Sequence, residues 1–262
     1  MNAFIGFGRN FLATALAGFI GAAVIFSVGA AASASPNAPT TALGYDIDTA
    51  SSLTVVVNKS RPLIPVTYAP AQFGSYNLAK PASDALSRMR RAMSKAGAGE
   101  LLLSSGYRGY YSQRAIYKKD VAALGLIKGQ RLAAKPGFSE HQTGLAADLA
   151  AAGQGCAINI CFAKTKAGTW LAANSWRYGF ILRYPKGATS VTGYQFEPWH
   201  FRFVGKQLAS EMHSAGATVL ETYLTLPPAP DYGLPRGTPS PTPTPTATAT
   251  PTPTPTATLS GH

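Results

Sequence analysis

Acidic residues are scarce in this chain. Its 262 residues include 11 Asp and Glu against 23 Lys and Arg, which gives a formal net charge of +12. A positive surplus of this size favours an anionic partner. The basic residues do not form a dense stripe interleaved with aromatic residues along any predicted helix, and this argues against a nucleic-acid-binding protein.

Cysteine is nearly absent, since only Cys156 and Cys161 occur. A metal site built on this pair is disfavoured because the other ligands of a Cys-type site are not nearby in sequence. In an oxidising compartment the two residues are expected to close a small loop as a disulfide. A Ser-x-x-Lys pair is also missing, which disfavours a hydrolase whose serine nucleophile is activated by lysine.

The N-terminus has the pattern of an export signal. Residues 11–29 form an apolar run that follows Arg9 and precedes the small residues 32–34. This order of charge, apolar run and small residues is typical of a secretory signal peptide, which we place at 1–34. The run also approaches the roughly 20 residues of a membrane-spanning helix, so an uncleaved anchor remains an alternative. Either one predicts an exported protein, in the cell wall or at the outer face of the plasma membrane, with an anionic cell envelope as partner.

The C-terminus has few large apolar side chains. From residue 237 onward the chain is nearly pure Pro-Thr and Ala-Thr, a composition that stays extended and forms no core. We therefore predict a disordered tail over 227–262, either a spacer that carries sugars or an idle extension. Residues 35–52 are predicted as a linker, and 53–226 are long enough for one domain with a hydrophobic core.

The domain predicts a mixture of helices and strands. Apolar residues at helical spacing indicate helices, and β-branched or aromatic runs indicate strands. Helices interrupt the strands without a regular βαβ alternation, which predicts an α+β fold with a small antiparallel sheet and flanking helices. The predicted helices are 81–95, 112–124, 169–178 and 205–215, and the predicted strands are 53–58, 100–105, 145–150, 180–184 and 194–204.

Two of the four histidines lie beside scarce carboxylates. His141 precedes Asp148 by seven positions, across a Thr-Gly turn that allows a close backbone return. Glu197 precedes His200 by three. Two imidazoles and one carboxylate are good zinc ligands that leave an open position for water, and the second carboxylate would be the general base. On a regular strand positions 197 and 200 would point to opposite faces, so we expect an edge or bulged geometry at Pro198.

These residues belong to a longer set of motifs. The set comprises Ser104-Ser-Gly-Tyr-Arg108 with Gln113, Ser139-x-His141-x-x-Gly144-x-Ala146-x-Asp148, and Glu197-x-Trp199-His200. In this order the motifs resemble the zinc D-alanyl-D-alanine carboxypeptidases of the VanY type, which share the hedgehog/DD-peptidase fold. The resemblance extends from about residue 57 to residue 205.

The resemblance implies a role for each matching residue. It implies Glu197 as catalytic base and Arg108 beside the scissile carbonyl, where a fixed guanidinium stabilises developing negative charge. Trp199 is expected to form a wall under the site, either as core or as substrate platform. The implied zinc ligands are His141, Asp148 and His200. The implied substrate contacts are Ser139 and Gln113.

The expected activity is that of an exported zinc D,D-carboxypeptidase, which removes the terminal D-alanine from peptidoglycan stem peptides by metal-activated water. A D,D-dipeptidase, or an L,D- or endopeptidase on the same scaffold, remains open because the shape of the cleft decides between them. A non-catalytic wall-binding module is disfavoured, since it would need neither Glu197 nor a complete set of metal ligands.

Overall fold

The computed structural model describes residues 41–233. The signal peptide or anchor predicted over 1–34, and residues 234–262 of the predicted tail, lie outside this range. Within the described range no helix has both the length and the hydropathy that crossing a membrane requires.

Seven α-helices and four strands lie between residues 41 and 233. The helices are α1 (Lys80–Lys95), α2 (Tyr110–Leu124), α3 (Leu126–Leu132), α4 (Lys166–Asn174), α5 (Thr189–Thr192), α6 (Lys206–Ser214) and α7 (Leu220–Tyr223). The strands are β1 (Leu101–Ser105), β2 (Ala146–Ala151), β3 (Phe180–Leu182) and β4 (His200–Phe203). Short 3-10 helices occupy Glu140–Thr143, Ile160–Lys164 and Ser175–Tyr178.

The four strands form one antiparallel sheet in the order β1-β2-β4-β3. All residues of β2 and β4, its two central strands, are buried. In their register Asp148 on β2 lies directly opposite His200 on β4. Helices surrounding a small antiparallel sheet confirm the predicted α+β class.

Helix α1 supplies one wall of the main core. Its apolar residues recur every three or four positions, so they share one face. Ala85, Leu86, Met89 and Met93 on that face are all at most 1% exposed. Pro81 stands in the first turn, where a missing backbone N–H is tolerated. Burying one side chain of the size of Leu86 contributes about 1.5–3 kcal/mol.

Two strand predictions are wrong in instructive ways. Residues 53–58 form turns and irregular backbone, apart from an isolated bridge between Asn58 and Arg61. The valines of this run are buried against the core, so their apolar side chains are satisfied by packing without a sheet partner. The second error is 194–204, where the strand begins only at His200 because a turn occupies the preceding residues.

Residues on both sides of the predicted domain pack against it. Ile47 and Ala50, in the predicted linker, are buried. Ala229, in the predicted tail, is fully buried. Tyr232 accepts a hydrogen bond at its hydroxyl from the backbone N–H of Lys135, at 2.7 Å. The described fold therefore reaches beyond 53–226 on both sides.

The disulfide between Cys156 and Cys161 is formed, as the sequence predicts, with the two Cα atoms 5.5 Å apart. It closes a small ring in the connection between β2 and α4.

Gly144 ends the 3-10 helix that carries His141 and leads into β2, which carries Asp148. Its φ is +69°, and a Cβ there would lie 2.8 Å from Pro70 Cγ and 2.9 Å from the backbone N of Ala79. Glycine is therefore required for two reasons: the backbone is left-handed, and Pro70 and Ala79 lie too close to leave room for a Cβ.

We expect Gly144→Ala to lower the free energy of unfolding by about 1–3 kcal/mol more than Gly153→Ala does. Gly153 is the matched control, because its φ is +70° but a Cβ there would meet nothing within 4 Å. Urea denaturation of both variants measures the difference. Equal losses would show that the packing around Gly144 is not restrictive.

Candidate active site

His141 is held in one orientation by the backbone. Its Nδ1 lies 2.7 Å from the carbonyl oxygen of Gly106. Since a carbonyl only accepts hydrogen bonds, Nδ1 carries the proton and Nε2 presents its lone pair. That Nε2 lies 3.2 Å from Asp148 Oδ2. Burial lowers the pKa of His141, which favours the neutral ring that a metal ion needs.

His200 is oriented by two carboxylates. Its Nδ1 lies 3.0 Å from Asp148 Oδ1, the partner across the central strands, and its Nε2 lies 3.4 Å from Glu140 Oε2. Burial lowers the pKa of His200, but the hydrogen bonds to Asp148 and Glu140 outweigh burial and raise it to about 9. Without a metal ion this imidazole therefore carries a proton at neutral pH.

His141, Asp148 and His200 converge as predicted, and each offers one ligand atom within 4.8 Å of the others. Ligands at about 2.0–2.2 Å around a tetrahedral ion lie roughly 3.4 Å apart, close to the imidazole–carboxylate separations of 3.0 and 3.2 Å. Each imidazole also has an acceptor for its other nitrogen, Gly106 O or Glu140. Metal-bound histidines normally donate a hydrogen bond from the ring nitrogen that does not bind the metal. The residues therefore fit a small divalent ion with three protein ligands.

Glu197 lies beside this set, on the turn that precedes β4. The backbone N–H of His200 donates to the carbonyl of Glu197 at 3.1 Å and closes the turn. The carboxylate Oε2 then lies 3.9 Å from His200 Nδ1. The expected edge position is wrong, since β4 is a central strand. The expected departure from regular strand geometry at Pro198 is present as a turn, and positions 197 and 200 both line one cleft. Burial raises the pKa of Glu197 to about 8, in the range useful for accepting and returning a proton.

Arg108 borders the same group. Its backbone N–H donates to the carbonyl of His141 at 3.2 Å, and its Nη1 donates to Ser105 Oγ at 3.2 Å. Nη1 also lies 4.0 Å from Asp148 Oδ2. Burial lowers the pKa of Arg108, but a guanidinium stays charged at any pH of interest. The residue is a fixed positive charge at the edge of the ligand set.

A cleft of about 480 Å³ opens over these residues. Ser139 and Trp199 line it, as expected for substrate contacts, and Trp199 also packs into the main core. Gln113 is placed differently: it is fully buried and donates from Nε2 to the carbonyl of Ala134 at 2.8 Å. Ala134 lines the cleft but Gln113 does not, so Gln113 holds a residue of the cleft wall in place instead of lining the cleft itself.

Sequence reasoning missed a buried ionic network behind His200. Glu140 Oε1 accepts from Arg183 Nε at 2.7 Å and from Arg202 Nη1 at 3.1 Å. Arg183 also pairs with Glu221, through Nη1 at 2.8 Å. Burial would raise the pKa of Glu140, but the two guanidinium groups hold it well below its usual range. A usable signal was present: Arg183 and Arg202 each stand within apolar, aromatic runs.

Comparison with known proteins agrees with this geometry. Residues 75–206 match the VanY family model, described as D-alanyl-D-alanine carboxypeptidase. A D-alanyl-D-alanine carboxypeptidase of Enterococcus faecium is 33% identical over 147 residues, which are 56% of this chain and 44% of that protein. The chain spans about half the length of the first curated relatives it matches.

Two solved structures show the same fold. The LdcB LD-carboxypeptidase superposes with a TM-score of 0.61 at 37% identity, covering 67% of this chain and 87% of that one. A VanY D,D-pentapeptidase from a VanB-type resistance cassette, solved with Zn(II), gives a TM-score of 0.56 at 32% identity. It covers 66% of this chain and 98% of that one.

We expect Glu140→Gln to weaken Zn²⁺ binding by roughly 10–100-fold, because the imidazole of His200 loses the carboxylate that orients it. Competition with a chromophoric chelator measures the affinity. Glu221→Gln is the matched control, since Glu221 pairs with the same Arg183 but makes no hydrogen bond to His200. An equal fall in Zn²⁺ affinity for both variants would mean that the ionic network affects zinc binding only through the stability of the fold, and not through the orientation of His200.

Metal binding is expected to release a proton from His200. The imidazole carries that proton below a pKa of about 9 and must lose it to bind a cation. Zn²⁺ affinity should therefore rise with pH from 6 to 9, roughly tenfold per unit while one proton is displaced, and level off above. Calorimetry at pH 7 in two buffers of different ionisation enthalpy counts the protons. Repeating the calorimetry on Glu197→Gln removes the carboxyl group of Glu197, which also titrates near His200. A Zn²⁺ affinity that does not change with pH would contradict the expectation.

Proposed function

Since the chain belongs to the VanY family of D-alanyl-D-alanine carboxypeptidases, we propose that it is a zinc-dependent D,D-carboxypeptidase. Its substrates would be peptidoglycan stem peptides, from which it removes the terminal D-alanine. The observation that carries the proposal is the position of Glu197. A carboxyl group with a raised pKa shares one cleft with a complete set of metal ligands.

Zinc would be held by His141 Nε2, by the carboxylate of Asp148 and by His200 Nδ1, the three groups that face one another. A zinc ion with three protein ligands supplies a Lewis acid that brings the pKa of a water molecule towards neutrality and polarises a carbonyl. Zn(II) in the related VanY structure supports this choice of ion.

The side chains of the cleft account for the proton transfers. Glu197, as its carboxylate, accepts the proton that the attacking water loses. The resulting carboxyl then donates this proton to the nitrogen of the leaving D-alanine, which departs as a neutral amine. A pKa near 8 keeps both directions of transfer accessible near neutral pH.

Arg108 stabilises the charge that forms on the scissile carbonyl oxygen. Its guanidinium is already oriented by Ser105, so little reorganisation is needed during the reaction. A fixed cation of this kind binds the transition state more tightly than the uncharged peptide bond. Its distance of 4.0 Å from Asp148 places it at the edge of the ligand set without occupying the ligand positions.

An L,D-carboxypeptidase is a second candidate, because the LdcB structure gives a TM-score of 0.61 at 37% identity. Both activities would use the same ligands and the same base. They differ in the residue that precedes the cleaved bond: D-alanine for the first, an L-configured centre for the second.

We also propose that the protein is exported and acts on the cell wall. The apolar run at 11–29 and the net charge of +12 support export to an anionic envelope, with an uncleaved membrane anchor as the alternative. The Cys156–Cys161 disulfide is consistent with an oxidising compartment.

The deciding experiment incubates the zinc-loaded protein with defined stem peptides and identifies the products by mass spectrometry. Loss of one D-alanine from a pentapeptide, abolished by a chelator and restored by Zn²⁺, would support D,D-carboxypeptidase activity. Cleavage confined to the tetrapeptide would instead identify an L,D-carboxypeptidase. A protein that cleaves neither peptide would refute both activities.

Glu197→Gln is expected to lower kcat for D-alanine release by about 10²–10⁴-fold, because the amide cannot carry the proton. Zinc content, measured by atomic emission, should stay at the level of the unmodified protein, since Glu197 is not a ligand. Glu100→Gln is the control: Glu100 is an exposed carboxylate paired with Arg90, so activity should be retained. Undiminished release by the Glu197 variant would show that Glu197 is not the base.

A further inference from the structure

The disulfide ring between β2 and α4 lies at the rim of the active-site cleft. Within the ring, Ile158 and Ile160 are 51% and 62% exposed, although both are large and apolar. Ile158, Asn159 and Ile160 all line the cleft that contains the metal-ligand candidates. Apolar side chains exposed on a concave surface are typical of ligand-binding surfaces.

The ring is anchored to the body of the domain on both sides. On one side, the side chain of Gln154 donates to the carbonyl of Ala98 at 2.8 Å and accepts from the backbone N–H of Ala167 at 3.0 Å. On the other side Phe162 is fully buried in the main core. Within the ring, Asn159 Oδ1 accepts from the backbone N–H of Cys161 at 3.1 Å. The segment that carries the two isoleucines is therefore fixed to the domain at both ends.

The backbone of the ring is strained at Ile158. Ile158 has a φ of +49° and Cys156 a φ of +62°. A β-branched residue in the left-handed region costs on the order of 1–2 kcal/mol relative to the usual backbone conformation. Stability would favour Asn or Gly at this position, so a requirement other than folding is indicated for Ile158.

The cleft has further apolar lining outside the ring. Ile116 of α2 and Leu132 of α3 also line the cleft, and Leu132 is 40% exposed. The ligand set is buried, with His141 and His200 each 3% exposed. The cleft therefore has a polar floor, where the reaction would occur, and an apolar rim that is accessible to a longer ligand.

We propose that Ile158 and Ile160 form a specificity wall, which binds the aliphatic part of the peptide that precedes the D-alanyl-D-alanine terminus. This inference rests on the proposed function. The small polar terminus lies on the floor beside the ligands and Glu197, and the upstream side chains lie against the ring. The disulfide keeps the wall in place. Binding of long substrates should therefore depend on an intact ring, and binding of short substrates should not.

The test compares a stem pentapeptide with acetyl-D-alanyl-D-alanine, using the zinc-loaded double variant I158N/I160N. Asn tolerates a positive φ better than Ile, so folding should be retained. We expect KM for the pentapeptide to rise roughly tenfold, because the peptide loses part of the apolar surface that the two exposed isoleucines would offer it, while kcat changes less than twofold. The short substrate should be unaffected. An unchanged KM for the pentapeptide, or equal losses on both substrates, would overturn the wall.

Two further variants separate the wall from general effects. The pair C156S/C161S opens the ring and should raise KM for the pentapeptide in the same direction, with zinc content unchanged. Ile127→Asn is the matched control, because Ile127 is 71% exposed on α3 and outside the set of residues that line the cleft. A response of Ile127→Asn equal to that of the double variant would contradict the proposal.

A binding measurement keeps the inference independent of turnover. Calorimetric titration of the pentapeptide into the zinc-loaded Glu197→Gln variant, in which release should be slow, should give a Kd about tenfold higher when I158N/I160N is added. Equal dissociation constants would overturn the wall, even if D-alanine is released. Absence of D-alanine release from both substrates, with the tenfold difference in Kd intact, would overturn the proposed D,D-carboxypeptidase activity and leave the wall supported.

Discussion

The carboxylate of Glu140 is the constraint on which the site depends. It is fully buried and joins three parts of the chain: its own 3-10 helix, Arg183 after β3, and Arg202 on β4. A buried charge must be paired, and removing one partner commonly costs several kcal/mol. The pairing with two arginines leaves one carboxylate oxygen directed at His200. Glu140 therefore couples the packing of the sheet to the orientation of an imidazole in the cleft.

The rest of the ligand geometry follows from the two central strands. Asp148 and His200 are opposite in the register of β2 and β4, so their distance is set by backbone hydrogen bonding, which is hard to deform. His141 is fixed by a carbonyl, and the connection from its turn to β2 passes through a left-handed glycine. Each side chain is positioned by the backbone or by a buried partner, as a site needs if it is to bind an ion without rearranging.

The sequence predicted the parts of this structure that depend on local pattern. Helix α1 has clear periodicity, strands β1 and β2 are short apolar runs, and the ligand candidates stand in recognisable motifs. It did not predict that residues 53–58 would be buried without a sheet partner, because core packing and strand pairing demand the same apolar residues. The pairing of Glu140 with Arg183 and Arg202, and that of Arg183 with Glu221, were also missed. Such pairs are 38 to 62 positions apart, and only the tertiary fold brings them together.

Electrostatics then divide the carboxylates of the site into distinct roles. Glu140 and Asp148 are both buried, yet arginines for the first and histidines for the second hold their pKa values below the usual range. Glu197 lies in the same cleft, but there His200 and Arg108 do not outweigh burial, which raises its pKa to about 8. A carboxylate that stays ionised suits the binding of a cation, and one that can hold a proton near neutral pH suits acid–base chemistry. The separation of these pKa values is therefore an independent physical argument, beside the family likeness, for Asp148 as ligand and Glu197 as base.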